Sequence, residues 1–248
     1  MNDYKLEVCC ADILSAEAAF AGGADRVELC TGLAEGGMTP SQGFIRQVVE
    51  KKGQTKVHVL IRPRAGDFTY SESEVRAMIS DISFCKEIGV DGVVIGVLNP
   101  DSTIDTATTE RLIQAADGMA VTFDRAFDVC QNPEEAFRIV TSIGCNHLLS
   151  SGGAPKAIDA LDELSRLVGN APEGFNVIAA SGVNPDNALR ILESTGVHEL
   201  HASASALQQS SLKYYLTDQP TREYDFRTTS IETVRRLVDI IHNYNRNK

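Results

Sequence analysis

The chain has 248 residues, of which 43% are hydrophobic and 23% are charged, and its formal net charge at pH 7 is −11. This composition is typical of a globular protein and excludes a mainly disordered chain, and no apolar stretch approaches the roughly 18 residues that a membrane-spanning helix needs. The acidic balance argues against nucleic acid or an anionic membrane as a partner, although it leaves room for a local basic pocket that holds a small anion.

The N-terminal segment, residues 1–5, lacks the basic-then-apolar layout of a signal peptide. We therefore expect a cytoplasmic protein. The six cysteines are predicted to be free thiols, because a chain of this length in a reducing compartment does not need disulfides. No C-x-x-C motif occurs, which disfavours zinc-ribbon and thioredoxin-type sites.

A short phrase recurs along the chain, in which a glycine is followed by a few variable residues and then an apolar run. Each copy follows a helix-like stretch. The pattern predicts a glycine that ends a helix in the left-handed conformation, followed by a strand that returns through the core. The four copies are residues 23–29, 89–95, 144–149 and 196–200.

Four other strand candidates lie between these copies, at residues 6–10, 56–62, 120–126 and 176–181. Interleaving the two sets gives eight strands, separated by helical stretches. Eight strand–helix units in one chain predict a single-domain (β/α)8 TIM barrel over residues 1–248. A doubly wound open sheet would place a glycine fingerprint after the first strand, and none is present there. Helix starts are predicted at Ser15, Ser41, Ser71, Thr106, Asn132, Lys156 and Asn184.

The C-terminal part of the chain departs from the repeat. An irregular surface excursion is predicted at about residues 208–228. A final helix is predicted at about residues 231–243, since apolar residues recur there at helical spacing. Thr229 and Glu232 have the spacing of a capping box at its start.

Polar side chains share one face of five predicted strands, and we expect that face to point into the barrel. Barrel interiors are usually filled with branched apolar residues. Charged side chains in this interior must be paired, because burying a lone charge is costly. Glu7, Arg26 and Glu28 are equally compatible with a structural ion network and with function. A functional role is favoured for residues at the C-terminal strand ends, where active sites of this fold lie: Cys30, Arg62, Arg64, Asp124, His201 and Ser203.

Three loops after strands six, seven and eight offer backbone amides to an anion, and two arginines after strand three could clamp it. Phosphate sites of these barrels are commonly built in this region. The alternative is that the glycines only turn the chain. The anion-binding candidates are Arg62, Arg64, Gly152, Gly153, Ser181, Gly182 and Ser203.

Cys9 and Cys30 are predicted at similar heights on neighbouring strands, both facing inward, whereas Cys10 faces outward. Two thiolates close together form a soft site that suits Cu(I) better than Mg²⁺ or Ca²⁺. The alternative is that both cysteines are buried apolar filler.

These motifs resemble the CutC family of copper-homeostasis proteins over nearly the whole chain up to about Ala206. The resemblance implies a (β/α)8 barrel, a cytoplasmic location, a homodimer or higher oligomer, and Cu(I) binding by Cys9 and Cys30. The family usually has a histidine at the position of Asp124, and its seventh strand ends with more glycine. The matching phrases are residues 6–9, 22–30, 35–41, 61–68, 125–128 and 149–152.

Two functions therefore remain open. The first is copper homeostasis through the two cysteines. The second is an enzyme that acts on a small anionic or phosphorylated substrate, with Glu28, Asp124 and His201 as acid–base candidates.

Overall fold

Eight parallel strands form a closed barrel in the computed structural model, which describes residues 4–213 and 224–246. Each strand pairs with its neighbours in sequence, and the first strand pairs with the eighth. The predicted (β/α)8 barrel is confirmed. The strands are β1 (Lys5–Cys10), β2 (Arg26–Leu29), β3 (Lys56–Leu60), β4 (Gly92–Ile95), β5 (Ala120–Phe123), β6 (His147–Ser150), β7 (Asn176–Ala179) and β8 (Glu199–Ala202).

The helices alternate with the strands along the chain and pack outside them. They are α1 (Ile13–Gly22), α2 (Gln42–Lys51), α3 (Glu72–Glu87), α4 (Thr106–Ala116), α5 (Pro133–Ser142), α6 (Leu161–Gly169), α7 (Ala188–Thr195) and α8 (Ile231–Arg246). Glycines at the repeat positions end helices as predicted. Gly23 follows α1 at φ 89°, and its N–H donates to the carbonyls of Ala19 and Phe20.

Three helices begin at residues other than those predicted. α1 begins at Ile13 rather than Ser15, because the carboxylate of Asp12 caps it by accepting from Ser15 N at 2.7 Å. Lys156 precedes a single 3-10 turn, and α6 starts only after it. Asn184 forms a side-chain turn with Asp186 N, which delays α7.

Three strands are shorter than predicted, and this positions the residues that follow them. β3, β5 and β7 end at Leu60, Phe123 and Ala179. Asp124 ends β5 because its carboxylate accepts from Ala126 N at 2.8 Å and caps a 3-10 turn. The residues just beyond these strand ends therefore lie at the mouth of the barrel.

The C-terminal region adds a small antiparallel ribbon, β9 (Ser205–Gln208) and β10 (Phe226–Thr229). Of the predicted excursion at 208–228, residues 214–223 lie outside the described residues. α8 packs against α1. The capping position of α8 is Ser230, whose hydroxyl accepts from Thr233 N at 3.3 Å, because Thr229 belongs to β10.

Alternation along the strands separates an apolar outer layer from a polar interior. Cys10 belongs to the large apolar cluster between strands and helices, whereas Cys9 and Cys30 lie in a separate small cluster with Leu60 and Val94. Across residues 4–213 and 224–246, none of the helices is long and apolar enough to cross a membrane.

Candidate functional site

An ion network crosses the lower half of the barrel. Arg26 on β2 donates through Nε to Glu7 on β1 and through Nη2 to Glu199 on β8, the latter at 2.6 Å. All three side chains are buried. Burial raises the pKa of Glu7, but the charge of Arg26 and a hydrogen bond from His201 outweigh it and hold this pKa well below 4.5. This geometry favours the structural interpretation of Arg26, whereas Glu7 is shared between this network and His201.

His201 on β8 connects this network to the residues above it. Its Nδ1 lies 2.6 Å from Glu7 Oε1, and its Nε2 lies 3.9 Å from Glu28 Oε2. Burial lowers the pKa of His201, but the hydrogen bond to Glu7 and the charge of Glu28 leave it raised overall. Since an ionised carboxylate can only accept, the hydrogen of this contact belongs to Nδ1.

The two inward cysteines contact each other, and Cys9 lies beside His201. Cys9 Sγ and Cys30 Sγ lie 3.5 Å apart, and both thiols are free. The sulfur of Cys9, a carboxylate oxygen of Glu28 and a ring nitrogen of His201 all lie within 4.8 Å of one another. The hydrogen bond with Cys30, burial and the charge of Glu28 raise the pKa of Cys9 well above 9.0. Burial also raises the pKa of Glu28, to about 7.

A cavity of about 480 Å³ lies above the thiols, at the C-terminal end of the barrel. It brings together nine of the residues that the sequence singled out: Cys9, Glu28, Cys30, Arg62, Asp124, Ser181, Gly182, His201 and Ser203. Its apolar wall is formed by Leu33, Leu60, Phe68, Val129, Leu149 and Val183. The sequence interpretation missed this apolar wall, because most of it comes from loops rather than strands.

The two arginines after β3 have different surroundings. Arg62 is 4% exposed, and its guanidinium donates to the carbonyls of Glu35, Gly37 and Gly66. These bonds tie two loops together across the mouth. Among the residues that the structure describes, the buried Nε of Arg62 has no hydrogen-bond partner. Arg64 lies outside the cavity, where it binds Glu74 at 2.7 Å and Asp67 at 2.9 Å.

Asp124 occupies the cavity wall opposite the thiol strands. Its carboxylate packs on Gly96, where a Cβ would lie 1.8 Å from Oδ1, so only glycine fits there. Burial raises the pKa of Asp124 to about 6, against the opposing effects of the Ala126 N–H and the charge of Arg62.

The loop after β6 is already filled by a carboxylate of the chain itself. Asp128 accepts from Ser150 Oγ at 2.6 Å, from Ser151 Oγ at 2.8 Å and from the backbone N–H groups of Ser151 and Gly153. Gly152 N donates to Ser150 Oγ instead. Gly152 and Gly153 therefore do not face the cavity as anion-binding amides, and Asp128 was not among the predicted site residues.

Comparisons with known proteins agree on one family. The CutC family model matches residues 4–206. The family protein CutC of Bacteroides thetaiotaomicron is 41% identical over 244 residues, which cover 97% of this chain and 98% of that protein.

Two solved structures are similar to this chain to different degrees. A Streptococcus agalactiae protein that carries the name copper homeostasis protein CutC is 30% identical, with a TM-score of 0.77, covering 81% of this chain and 98% of that one. Thiamine phosphate pyrophosphorylase from Pyrococcus furiosus shares the fold, with a TM-score of 0.60 at 17% identity over 98% of this chain and 97% of that one.

Proposed function

This chain belongs to the CutC family, and we propose that it is a copper-homeostasis protein that binds Cu(I) through the thiolates of Cys9 and Cys30. The name of the Streptococcus agalactiae relative supports the copper role. The observation that carries the proposal is the distance of 3.5 Å between the two sulfurs at the base of an accessible cavity.

The donor set fits a soft monovalent ion. Thiolates are soft ligands that select Cu(I), whereas carboxylates such as Asp124 suit harder ions. The hydrogen bond with Cys30, burial and the charge of Glu28 raise the pKa of Cys9, so the metal has to displace the proton of this thiol as it binds. We also expect, as the family resemblance implies, a cytoplasmic protein that forms a homodimer or higher oligomer.

Cys9→Ala combined with Cys30→Ala should lower Cu(I) affinity at least about 100-fold, because both soft donors are removed from one site. An anaerobic titration against a chromogenic Cu(I) chelator measures this change. The matched control is Cys85→Ala with Cys145→Ala, since both thiols are buried outside the cavity. Circular dichroism checks that each variant is folded. Wild-type affinity in the Cys9/Cys30 variant would refute the two-cysteine site.

A second function is favoured by the size of the cavity. About 480 Å³ is the volume of a small-molecule site rather than of a single ion. Arg62, Ser181, Gly182 and Ser203 would contact a small anionic or phosphorylated substrate. Glu28, Asp124 and His201 would transfer protons, and pKa values of about 7 and 6 for the two carboxyls suit such chemistry near neutral pH.

A thermal-shift screen with phosphate and phosphorylated metabolites tests this second function, since a ligand that binds the folded state raises Tm. We expect a hit to raise Tm equally in wild type and in Arg64→Ala, because Arg64 lies outside the cavity. The shift should shrink in Ser203→Ala, which alters the cavity lining. If no compound raises the Tm of the wild type, the anion-binding function loses its support.

A further inference from the structure

We propose that His201 is a third donor to the copper site, through Nε2, and that Glu7 is the positioning residue that orients its ring. This inference rests on the proposed copper function and extends it. A partly buried histidine beside Cys9 would change the site from two sulfur donors to two sulfurs and one nitrogen.

Strand register places these groups on one wall of the barrel. Glu7 pairs directly with His201 across β1 and β8, and Cys9 pairs with Glu28 across β1 and β2. Glu7 and Cys9 share the inward face of β1, because they are two residues apart. The imidazole therefore lies between the ion network and Cys9.

The contact with Glu7 determines which ring nitrogen is available. Arg26 binds Glu7 Oε2 and keeps this carboxylate ionised, while Glu7 Oε1 lies 2.6 Å from His201 Nδ1. The hydrogen on Nδ1 is committed to Glu7, so in the neutral ring Nε2 is the nitrogen that offers a lone pair, and a metal that binds there displaces any proton on Nε2. A carboxylate that accepts from the far nitrogen is the usual companion of a metal-binding histidine.

The surroundings of the His201 ring suit a ligand role, and its Nε2 lies 3.9 Å from Glu28 Oε2. A ring nitrogen of His201 lies within 4.8 Å of Cys9 Sγ and of a Glu28 carboxylate oxygen. Imidazole binds copper well, whereas the carboxylate of Glu28 is a hard donor that is poorly matched to Cu(I). We therefore assign Glu28 a charge and hydrogen-bonding role beside the site rather than a place among the ligands.

The ion network supplies a matched pair of variants. Glu7 and Glu199 both bind Arg26 and both are buried, but only Glu7 contacts His201. Glu7→Gln and Glu199→Gln each remove one buried charge from Arg26 without changing side-chain size. A difference between the two variants at His201 therefore reports the Glu7–His201 contact and not a general disturbance of the barrel.

The experiment combines anaerobic Cu(I) competition titrations with ¹⁵N NMR of the histidine ring nitrogens. In wild type, we expect Cu(I) to shift the Nε2 signal of His201 while Nδ1 keeps its proton. His201→Ala should lower the affinity about 10–100-fold. Glu7→Gln should lower it about 10-fold and redistribute the proton between the ring nitrogens, whereas Glu199→Gln should change neither.

The outcomes separate this inference from the proposed function. If the Cys9/Cys30 variant loses Cu(I) binding but His201→Ala keeps wild-type affinity, the third donor is refuted and the copper function stands. If the cysteine variant binds normally, the copper function itself fails. Equal behaviour of Glu7→Gln and Glu199→Gln refutes the positioning role. Should Glu7→Gln not fold, the Nε2 signal of the wild type still decides whether His201 is a ligand.

Discussion

Replacing Arg26 by methionine should lower the free energy of unfolding by about 3–5 kcal/mol at pH 7, a large part of the stability of a typical domain. Arg26 is the shared partner of Glu7 and Glu199 inside the barrel. Removing one member of a buried ion network leaves the other charges desolvated and uncompensated, which costs far more than the loss of an exposed pair.

The loss of stability in Arg26→Met should increase as the pH rises from 5 to 7. In the wild type, the pKa of Glu7 is held well below 4.5, so this carboxyl contributes stability above pH 4.5 that disappears as the pH falls through the folded-state value. Without Arg26, burial raises the pKa of Glu7, and keeping the carboxyl folded becomes more costly as the pH rises. The difference between the two proteins should therefore be larger at pH 7 than at pH 5.

Urea unfolding of both proteins at pH 5 and pH 7 measures this effect. The control is Arg111→Met, which breaks an exposed pair with Glu72 at 2.8 Å on the outer surface. That variant should lose at most about 1 kcal/mol, with little pH dependence between these values. Similar losses in the two variants would show that the barrel interior tolerates unpaired charge.

Local rules were sufficient to predict the barrel and its polar interior. The glycine phrase repeats because each helix ends in a left-handed residue before the next strand, and this can be read from the chain without tertiary information. Alternation then assigned Cys9 and Cys30 to the interior and Cys10 to the outer layer, as the structure places them. Neighbouring strands in sequence are neighbours in the barrel, which is why the two sulfurs could be expected to meet.

Contacts made by loops could not be predicted in this way. Arg64 was expected in an anion clamp because it follows a strand end, but Glu74 at the start of α3 binds it outside the cavity. The partner of a loop side chain depends on how the loop folds, which strand alternation does not constrain. The cavity wall at Leu33 and Phe68 was missed for the same reason.

The sequence predicted the orientation of the His201 side chain but not its hydrogen-bond partner. Its inward orientation was expected, but its partner Glu7 is 194 residues away along the chain, joined to it only by closure of the barrel. The sequence made His201 an acid–base candidate of the enzyme alternative, and the contact with Glu7 is the basis on which we propose a donor role beside Cys9.

The loop after β6 allows a direct test of its anion-binding chemistry. Asp128→Ala should lower the free energy of unfolding by about 2–4 kcal/mol, because losing a largely buried acceptor costs about 1–3 kcal/mol for each donor that water cannot reach. The affected donors are the hydroxyls of Ser150 and Ser151 and the N–H groups of Ser151 and Gly153. Arg125 also loses its partner at 2.8 Å.

Acetate should return part of this stability to the variant but not to the wild type. Acetate carries the same carboxylate as the missing side chain. The loop of the variant still holds the hydroxyl, amide and guanidinium donors that bind Asp128 in the wild type. At ten times its Kd, acetate would restore about 1.4 kcal/mol by mass action. Wild type has no such vacancy, since its own Asp128 competes without the entropic cost of binding a separate molecule.

Urea unfolding in sodium acetate and in sodium chloride of equal ionic strength separates specific rescue from general salt effects. Asp67→Ala is the matched control, because Asp67 also binds an arginine but its side chain is 66% exposed. That variant should lose little stability and regain none in acetate. If acetate stabilises all three proteins equally, the loop is not an anion site. Selective rescue would establish that this barrel retains the amide geometry of an anion site and fills it with its own carboxylate.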